Sequence, residues 1–203
     1  MDAAQIPVEE HPLRPFLPEG ARLLMLGSFP PQRKRWSMEF YYPNFQNDMW
    51  RIMGYLFYGD KDYFVNKLRK AFEKEKIVAF AKERELAFYD TSSSVRRLQD
   101  NASDKYLEVV KPTDVERLLR QIPQCRAVCT TGQKATDTIC ALFGMVQPPV
   151  GGYIPFRMGD REMRLYRMPS SSRAYPLALE KKAAFYGEMF RELGILENRL
   201  LIN

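Results

Sequence analysis

The chain has 203 residues, of which 45% are hydrophobic and 28% are charged, and its formal net charge is +6. This mixture excludes a disordered or fibrous protein, and the length suits a single domain that buries a large hydrophobic core. The positive excess favours a polyanionic partner such as nucleic acid.

The first part of the chain predicts an extended arm, a buried strand and two helices. Residues 1–20 contain four prolines, so we expect an arm that lies extended on the surface. The short apolar run 22–26 predicts a strand that is buried on both faces. Helical spacing then relates three large apolar residues, Trp50, Met53 and Phe57. The lysine- and glutamate-rich segment 63–84 has the composition of a long second helix.

Three further strands are predicted in the rest of the chain. Residues 86–89 and 126–130 form short apolar runs like the first one. The dipeptide Gly159-Asp160 is typical of a hairpin tip, and we expect it to lead into a fourth strand at 163–168.

Helices are predicted between and after these strands. Thr113 and Glu116 have the spacing of a capping box, which indicates a helix start. Gly132 opens another helix, which we expect to extend through Phe143. The last helix has an apolar face formed by Leu179, Ala183, Tyr186 and Phe190.

Alternating strands and helices predict an α/β fold, in one domain spanning 1–203. We expect a three-layer α/β/α sandwich around a central, mostly parallel, four-stranded sheet. In such sheets, ligands bind outside the carboxyl ends of the strands. The segments that follow the four predicted strands are GSFPPQRKRW, DTSSSVRR, TTGQKA and PSSSRAY. Their hydroxyls, small residues and arginines suit phosphate binding, and aromatic side chains can stack on a flat base.

Metal and disulfide chemistry is not expected. Cys125, Cys129 and Cys140 are odd in number and have apolar neighbours, so we interpret them as reduced thiols of the core. His11 is the only histidine, which argues against a histidine-rich metal site and a Ser-His-Asp triad. We therefore expect no metal and no cofactor.

The first segment with chemical potential combines GSFPP with YYPNFQNDMW. Gly27 lets backbone amides approach a ligand closely, Tyr42 offers a ring for stacking, and Asn47 offers an amide that both donates and accepts. The alternative is that the tyrosines belong to the core and that Asn47 only caps the helix that carries Trp50. The spacing leaves both interpretations open.

Two other segments could bind phosphate. The serines of MPSSSRAY lie between a strand and a helix, where hydroxyls and helix-terminal amides can hold DNA phosphates. The alternative is a flexible polar turn. The segment TGQK at 131–134 resembles a phosphate-binding turn. Its single glycine also suits a packed junction between a strand and a helix.

Together these segments resemble the uracil-DNA glycosylase superfamily. GSFPP followed by YYPNFQNDMW resembles the first motif of its hypoxanthine-DNA glycosylase branch and of the mismatch-specific relatives. MPSSSRAY is similar to the second motif, in particular to the MPSSS run of thymine-DNA glycosylases. LAFYD and AVCTTGQKA fall where the middle strands of the family lie, so the resemblance covers about 22–191.

The resemblance implies a three-layer α/β/α fold and an enzyme that flips a damaged base from DNA and hydrolyses its glycosidic bond. Asn47 falls on the asparagine used for catalysis or base recognition, and Tyr42 on the aromatic residue that stacks on the base. Asp90 is a second candidate for water activation or base contact, with a loop-capping carboxylate as the alternative. The implied base-binding residues are Gly27, Ser28, Phe29, Tyr42 and Asn44.

DNA binding is assigned to basic and hydroxyl side chains near the predicted strand ends. The candidates are Arg33, Lys34, Arg35, Lys134, Ser170, Ser171, Ser172 and Arg173, with Arg96 and Arg97 as further basic residues. Arg173 is also a candidate for filling the gap that a flipped base leaves, and Tyr175 is the next. The alternative is that these charges are ordinary solvated surface.

Three positions depart from the family pattern. Phe29 stands where many members have Asp or Asn, Met168 where the second motif often has His, and Asn44 where close relatives have His. A nucleic-acid-binding protein that has lost catalysis is therefore the main alternative to an enzyme. A small-molecule or nucleotide-binding α/β protein is a third, although no glycine-rich dinucleotide signature is present.

The remaining expectations concern partners and location. We expect a monomer that acts on damaged or mismatched duplex DNA, with single-stranded DNA as a further substrate. The N-terminus lacks the basic start and apolar run of a signal peptide, and no apolar stretch approaches the ~20 residues that cross a bilayer. These features favour a cytoplasmic, nucleoid-associated protein with no membrane partner.

Overall fold

The structure, a computed structural model, describes residues 6–99 and 104–197. The strands are β1 (Val8–Glu10), β2 (Leu23–Gly27), β3 (Val65–Asn66), β4 (Ala71–Phe72), β5 (Leu86–Asp90), β6 (Ser92–Arg97), β7 (Leu107–Pro112), β8 (Ala127–Thr131), β9 (Tyr153–Met158) and β10 (Arg161–Met168). The helices are α1 (Met49–Tyr58), α2 (Lys74–Glu83), α3 (Val115–Gln121), α4 (Gln133–Phe143) and α5 (Leu179–Glu192).

The central sheet has the strand order β5-β2-β8-β10-β9 within the described residues. The first four strands are parallel, as the sequence predicts, and β9 pairs antiparallel with β10. The predicted number of four strands is therefore wrong by one. The sequence did not reveal β9 because it is an edge strand with alternating exposed and half-buried residues, YIPFRM, rather than a continuous apolar run.

Strands β2, β5 and β8 are buried at every residue. Because successive side chains of a strand point to opposite faces, both faces of the sheet must be covered, as in a three-layer arrangement. Helices α1 and α5 pack on each other, while α2 contacts β5 and α4 contacts β8. The chain leaves β2 toward β5 on one side and leaves β8 toward β10 on the other. A topological switch point therefore lies between β2 and β8, where ligands bind in open α/β sheets.

A second, antiparallel sheet has the order β1-β6-β7. The segment DTSSSVRR, which the sequence indicates only as the stretch after the second predicted strand, contains a strand, because β6 has the sequence SSSVRR and pairs with a strand on each side. Its polar residues conceal the strand, since the partners that bury it come from distant parts of the chain. The predicted arm at 1–20 supplies one of them, β1, and residues 1–5 lie outside the described residues.

The segment 63–84 does not form one long helix. Strands β3 and β4 make a short hairpin before α2 begins. In the connecting turn, the side-chain oxygen of Asn66 accepts a hydrogen bond from the backbone N–H of Arg69, and Lys70 has a positive φ of 49°. Phe64 and Phe72 are buried on either side of the hairpin. Burial of these two rings therefore outweighs the helical propensity of the lysines and glutamates.

Helix starts are partly as predicted. Gly132 precedes α4, and α1 contains Trp50 and Met53, which are both buried. The predicted capping box of α3 is wrong. The cap is Asp114, whose carboxylate accepts from the N–H of Arg117, while the Thr113 hydroxyl donates to the carbonyl oxygen of Asp90 at 2.7 Å. Among the described residues, none of the helices combines the length and the apolar character needed to cross a membrane.

The cysteines are free thiols and buried, as predicted. Loss of hydration raises the pKa of Cys125 to about 11 and raises that of Cys129 further. Buried thiols of this kind stay protonated near neutral pH and act as small apolar side chains.

Candidate active site

A cleft of about 940 Å³ opens at the carboxyl ends of the four parallel strands. The segments that follow β2, β5, β8 and β10 all contribute to its walls. The predicted site residues that line it are Gly27, Ser28, Phe29, Arg35, Tyr42, Asn44, Asn47, Asp90, Lys134, Ser170, Ser171, Ser172 and Arg173. Arg33 and Lys34 are not among the described residues that line it. The fold therefore brings most of the predicted residues to one place.

Gly27 and Asp90 are directly paired at the ends of neighbouring strands. A Cβ atom at position 27 would lie 2.5 Å from Oδ1 of Asp90, so only glycine leaves room for this carboxylate. Beyond Gly27, the hydroxyl of Ser28 donates to Oδ2 of Asp104 at 2.6 Å. Burial of that carboxyl group raises the pKa of Asp104, although other atoms of this residue are exposed.

Phe29 lies in the loop after β2, at one of the three positions where the sequence departs from the pattern that it resembles. Its side chain is buried in a small apolar cluster with Val95 and Leu107. This cluster joins the loop after β2 to the second sheet. The side chain of Phe29 therefore has a packing role, and its backbone is the part available to a ligand.

Tyr42 is held in place on two sides. Its backbone has a positive φ of 52°, and its phenol oxygen lies 2.9 Å from Oγ1 of Thr131, at the end of β8. Its ring contacts Trp50 and Phe88 edge to face, with centroid distances of 6.4 and 6.3 Å. Burial raises the pKa of Tyr42 well above its ordinary value, so the phenol is neutral. A rigid, uncharged ring therefore lines the cleft.

Asn47 lies at the start of α1 and also lines the cleft. Its Oδ1 accepts from the backbone N–H of Met49 at 2.9 Å, which satisfies the first N–H of α1 from the position before the N-cap residue, Asp48. Its Nδ2 makes no hydrogen bond with another described residue, and the residue lines the cleft. Asn47 also forms an isolated β-bridge with Ser172. The oxygen thus serves the fold, and the NH₂ group can serve a ligand. Asn44 shapes the preceding turn, where its Oδ1 accepts from the N–H of Gln46.

The serine loop is ordered by its own hydroxyls. Oγ of Ser170 accepts from the N–H of Ser172, and Oγ of Ser172 accepts from the N–H of Ala174, each at 3.2 Å. A hydroxyl that accepts such a bond keeps its own proton for donation. Ser171 is buried, and its carbonyl oxygen accepts from the N–H of Asp48. The loop is therefore a fixed turn, attached to the start of α1, that can still donate to phosphate oxygens.

Two charged residues that the sequence analysis did not select hold this loop against α1. Asp48 contacts Nε of Arg173 at 2.9 Å through Oδ1, and Nζ of Lys182 at 3.2 Å through Oδ2. Lys182 also donates to the carbonyl oxygen of Ser172 at 2.8 Å. One sequence feature indicates that Lys182 is buried: it lies beside Ala183 and Tyr186 on the predicted apolar face of α5.

The basic candidates differ in their surroundings. Arg33 forms an ion pair with Glu39 and lies over the ring of Trp36, outside the cleft. Arg35 and Lys134 line the cleft.

The remaining arginines are bound within the protein. Arg173 is engaged by Asp48 and by Gln46, Arg97 by Glu9, and Arg96 by Glu108. Of the predicted basic residues, Arg35 and Lys134 are therefore the ones that line the cleft without such an ion pair to another described residue, and Lys105, which the sequence did not indicate, lines it as well.

His11, the only histidine of the chain, is not among the residues that the sequence predicts for the site. In the structure its Nε2 lies 2.9 Å from Oδ2 of Asp90, and both side chains are largely buried. No local sequence pattern predicts this contact, because 79 positions separate the two residues.

No family model matches this sequence, and no curated protein matches it. Among solved structures, it is similar to the solution NMR structure of a protein from Methanosarcina acetivorans that is described as a putative uracil DNA glycosylase. The TM-score is 0.61 at 22% sequence identity, and the match covers 93% of this chain and 99% of the other. At this identity the likeness concerns the fold. The chain therefore shares the fold of that structure over nearly its whole length.

Proposed function

We propose that this protein is a DNA glycosylase of the uracil-DNA glycosylase superfamily. It would flip a deaminated or mismatched base, such as uracil or hypoxanthine, into the cleft and hydrolyse its N-glycosidic bond to leave an abasic site. The observation that carries the proposal is the contact between the two sequence motifs. Asn47 of the first motif bridges to Ser172 of the second at the wall of one cleft, in a fold shared with the Methanosarcina structure.

The cleft offers complementary groups for a flat base with carbonyl and N–H edges. The ring of Tyr42 is a fixed stacking surface, and base–aromatic stacking is worth ~1–3 kcal/mol. Nδ2 of Asn47 can donate to a carbonyl oxygen or ring nitrogen of the base. The missing side chain at Gly27 leaves room for the Asp90 carboxylate beside the turn at Ser28, where the backbone would contact the base edge.

The phosphates beside the flipped nucleotide would be bound by the serine loop and two basic residues. Ser170 and Ser172 keep hydroxyl protons for donation, and Arg35 and Lys134 supply positive charge at the cleft. Base extrusion costs a few kcal/mol and is easiest at mispairs, so the lower cost of extrusion favours damaged sites.

The chemical step requires a water molecule and stabilisation of the departing base. The water oxygen bonds to C1′ of the deoxyribose while the C1′–N bond breaks. The electron pair of the broken bond leaves on the base nitrogen. Donors aimed at the negative charge that develops on the base contribute several kcal/mol in a dry pocket, and Nδ2 of Asn47 is suited to this role. Asp90 is suited to take a proton from the water.

We expect hydrolysis alone, without cleavage of the DNA strand. A strand-cleaving glycosylase uses an amine that forms a Schiff base with C1′. Lys134 is a lysine of the cleft, and we assign it to phosphate binding rather than to attack.

The test uses end-labelled duplexes with a single uracil, hypoxanthine or mispaired thymine. The protein and an identically purified Asn47→Ala variant are each incubated with them, and abasic sites are then cleaved with alkali. We expect strand breaks with the wild type and few with the variant. Binding without breaks would instead support the inactive nucleic-acid-binding protein, and neither binding nor breaks would contradict both.

A further inference from the structure

The N-terminal arm places the only histidine of the chain behind the cleft. Nε2 of His11 contacts Oδ2 of Asp90 at 2.9 Å, and the other ring nitrogen, Nδ1, lies 2.9 Å from the carbonyl oxygen of Leu13. Only 2% of the His11 side chain is exposed. The imidazole is therefore held at both nitrogens, between the backbone of the arm and a carboxylate.

Aromatic rings enclose this imidazole. The centroids of Tyr89, Phe29 and Tyr41 lie 4.5, 5.3 and 6.3 Å from that of His11. In such apolar surroundings a contact between an imidazole and a carboxylate is stronger than in water, because nearby solvent does not screen it. The orientation of the Asp90 carboxylate is therefore closely controlled.

The arm has other attachments that do not need His11. Strand β1 pairs with β6, and Glu9 makes two hydrogen bonds of 3.1 Å with the guanidinium of Arg97. Farther along the arm, the backbones of Phe16 and Phe88 form an antiparallel bridge. Burying an ionisable pair costs free energy, and these contacts already fix the arm. The contact between His11 and Asp90 therefore calls for a role beyond attachment.

The two oxygens of Asp90 face different surroundings. Oδ2 contacts His11, whereas Oδ1 lies 2.5 Å from the position that a Cβ atom of residue 27 would take. Among the described residues, the side chain of Asp90 makes its hydrogen bond with His11, and the atom involved is Oδ2. Asp90 lines the cleft and His11 does not. Oδ1 thus lies against Gly27, beside the turn that would receive the base.

We propose that His11 is a positioning residue that orients Asp90 for water activation. The inference rests on the glycosylase function proposed above and adds to it a residue of the arm. Oδ1 of Asp90 takes one proton from the attacking water, and the water oxygen forms the new bond to C1′. The electron pair of the broken C1′–N bond leaves on the base, which then takes up a proton, so that the products are a free base and an abasic sugar.

The experiment measures single-turnover base release and DNA affinity for four proteins: the wild type, His11→Leu, His11→Gln and Glu9→Gln. The substrate is whichever of the uracil, hypoxanthine and thymine-mispair duplexes the wild type processes fastest. Residues that orient the ligands of a metal ion through a hydrogen bond affect activity by ~10–100-fold, and we take the same scale for a residue that orients a carboxylate. We expect His11→Leu to lower the rate by about tenfold or more while changing the Kd for DNA less than about twofold.

The other two variants separate positioning from attachment of the arm. Glutamine can donate an N–H to Oδ2 of Asp90, so His11→Gln should restore part of the lost rate. Glu9→Gln weakens the attachment of the arm without touching Asp90, and should keep the wild-type rate. An independent readout is the imidazole ¹⁵N spectrum of the protein. Because the chain has one histidine, this spectrum reports His11 alone, and it should change in Asp90→Asn.

Three results would overturn the positioning role while the glycosylase function stands. These are a His11→Leu rate equal to that of the wild type, an equal loss in Glu9→Gln, and a His11→Gln rate no higher than that of His11→Leu. If the wild type releases no base from any duplex, the proposed function fails and the role of His11 in it fails with it. The imidazole spectrum then still reports whether the pair with Asp90 forms, which distinguishes the two failures.

Discussion

Asp48 and Lys182 form an ion pair of 3.2 Å between the start of α1 and the first half of α5, and only 8% and 1% of their side chains are exposed. The same carboxylate binds Arg173, and the same ammonium group binds the backbone of the serine loop at Ser172. Both sequence motifs of the cleft are therefore attached to one buried cluster. Their relative position depends on residues that neither motif identifies as functional.

Replacement of Lys182 by methionine should destabilise the protein strongly. Removing one partner of a buried pair leaves a charge without compensation and costs ~3–5 kcal/mol, although Arg173 still contacts Asp48 and places the expected loss near the lower limit. Urea unfolding measures the loss. Asp48→Asn combined with Lys182→Met should recover part of it.

The matched control for this prediction is an exposed pair. Glu116 and Arg120 are one helical turn apart in α3, with side chains more than half exposed. Glu116→Gln should change the free energy of unfolding by less than about 0.5 kcal/mol. A loss in Lys182→Met no larger than this would show that the buried cluster does not hold the motifs together.

Two substitutions at Asn47 can separate capping from catalysis. Asn47→Ala removes both the oxygen that accepts from Met49 and the NH₂ group, so it should cost ~1 kcal/mol of stability and also slow base release. Asn47→Asp keeps a capping oxygen and removes the donor. It should therefore keep the melting temperature and lose ~10²–10³-fold in single-turnover rate. An Asn47→Asp variant as active as the wild type would reduce Asn47 to a helix cap.

Tyr42 should act through its ring rather than its hydroxyl. Tyr42→Phe loses the hydrogen bond to Thr131 and about 1 kcal/mol of stability, but keeps the stacking surface. Tyr42→Ala also loses stacking, worth ~1–3 kcal/mol, and should weaken base release more. Because burial raises the pKa of Tyr42 well above its ordinary value, its phenol should cause no change in rate up to pH 10. Equal slowing by both substitutions would point to the hydroxyl.

The salt dependence of DNA binding should distinguish the basic residues. Lys134 lines the cleft, and its replacement by alanine should lower the magnitude of the log–log salt slope by ~0.9 on duplex DNA. Arg33 is paired with Glu39 outside the cleft, so Arg33→Ala is the control and should leave the slope unchanged. Fluorescence anisotropy at several salt concentrations measures both. An equal effect of the two variants would place the DNA elsewhere.

Arg173 is a candidate both for binding DNA and for filling the gap that a flipped base leaves, and its contacts add a structural role. Its guanidinium binds Asp48 and Gln46, so Arg173→Ala should reduce the stability of the protein. Any effect of this substitution on base flipping comes in addition. Melting temperature and the fluorescence of 2-aminopurine beside the target base separate the two. Unchanged flipping in a destabilised variant would leave Arg173 with the structural role alone.

The sequence by itself determined the parts of the fold that local pattern controls. The apolar runs at β2, β5 and β8 predict buried strands because a strand with both faces covered must be apolar throughout. Glycine, asparagine and serine after these strands indicated the cleft, because they serve turns, caps and close approach. These signals lie within a few residues of each other, so no knowledge of distant partners was needed.

Only the tertiary structure decided which distant residues meet. The polar strand β6 exists because β1 and β7 pair with it, and the hairpin before α2 exists because Phe64 and Phe72 are buried. His11 reaches Asp90 across 79 positions, and Lys182 reaches Asp48 across 134. Hydrophobic periodicity reports that a face is buried but not what covers it. A charged or polar residue whose partner comes from a distant segment therefore looks like ordinary surface until the chain is folded.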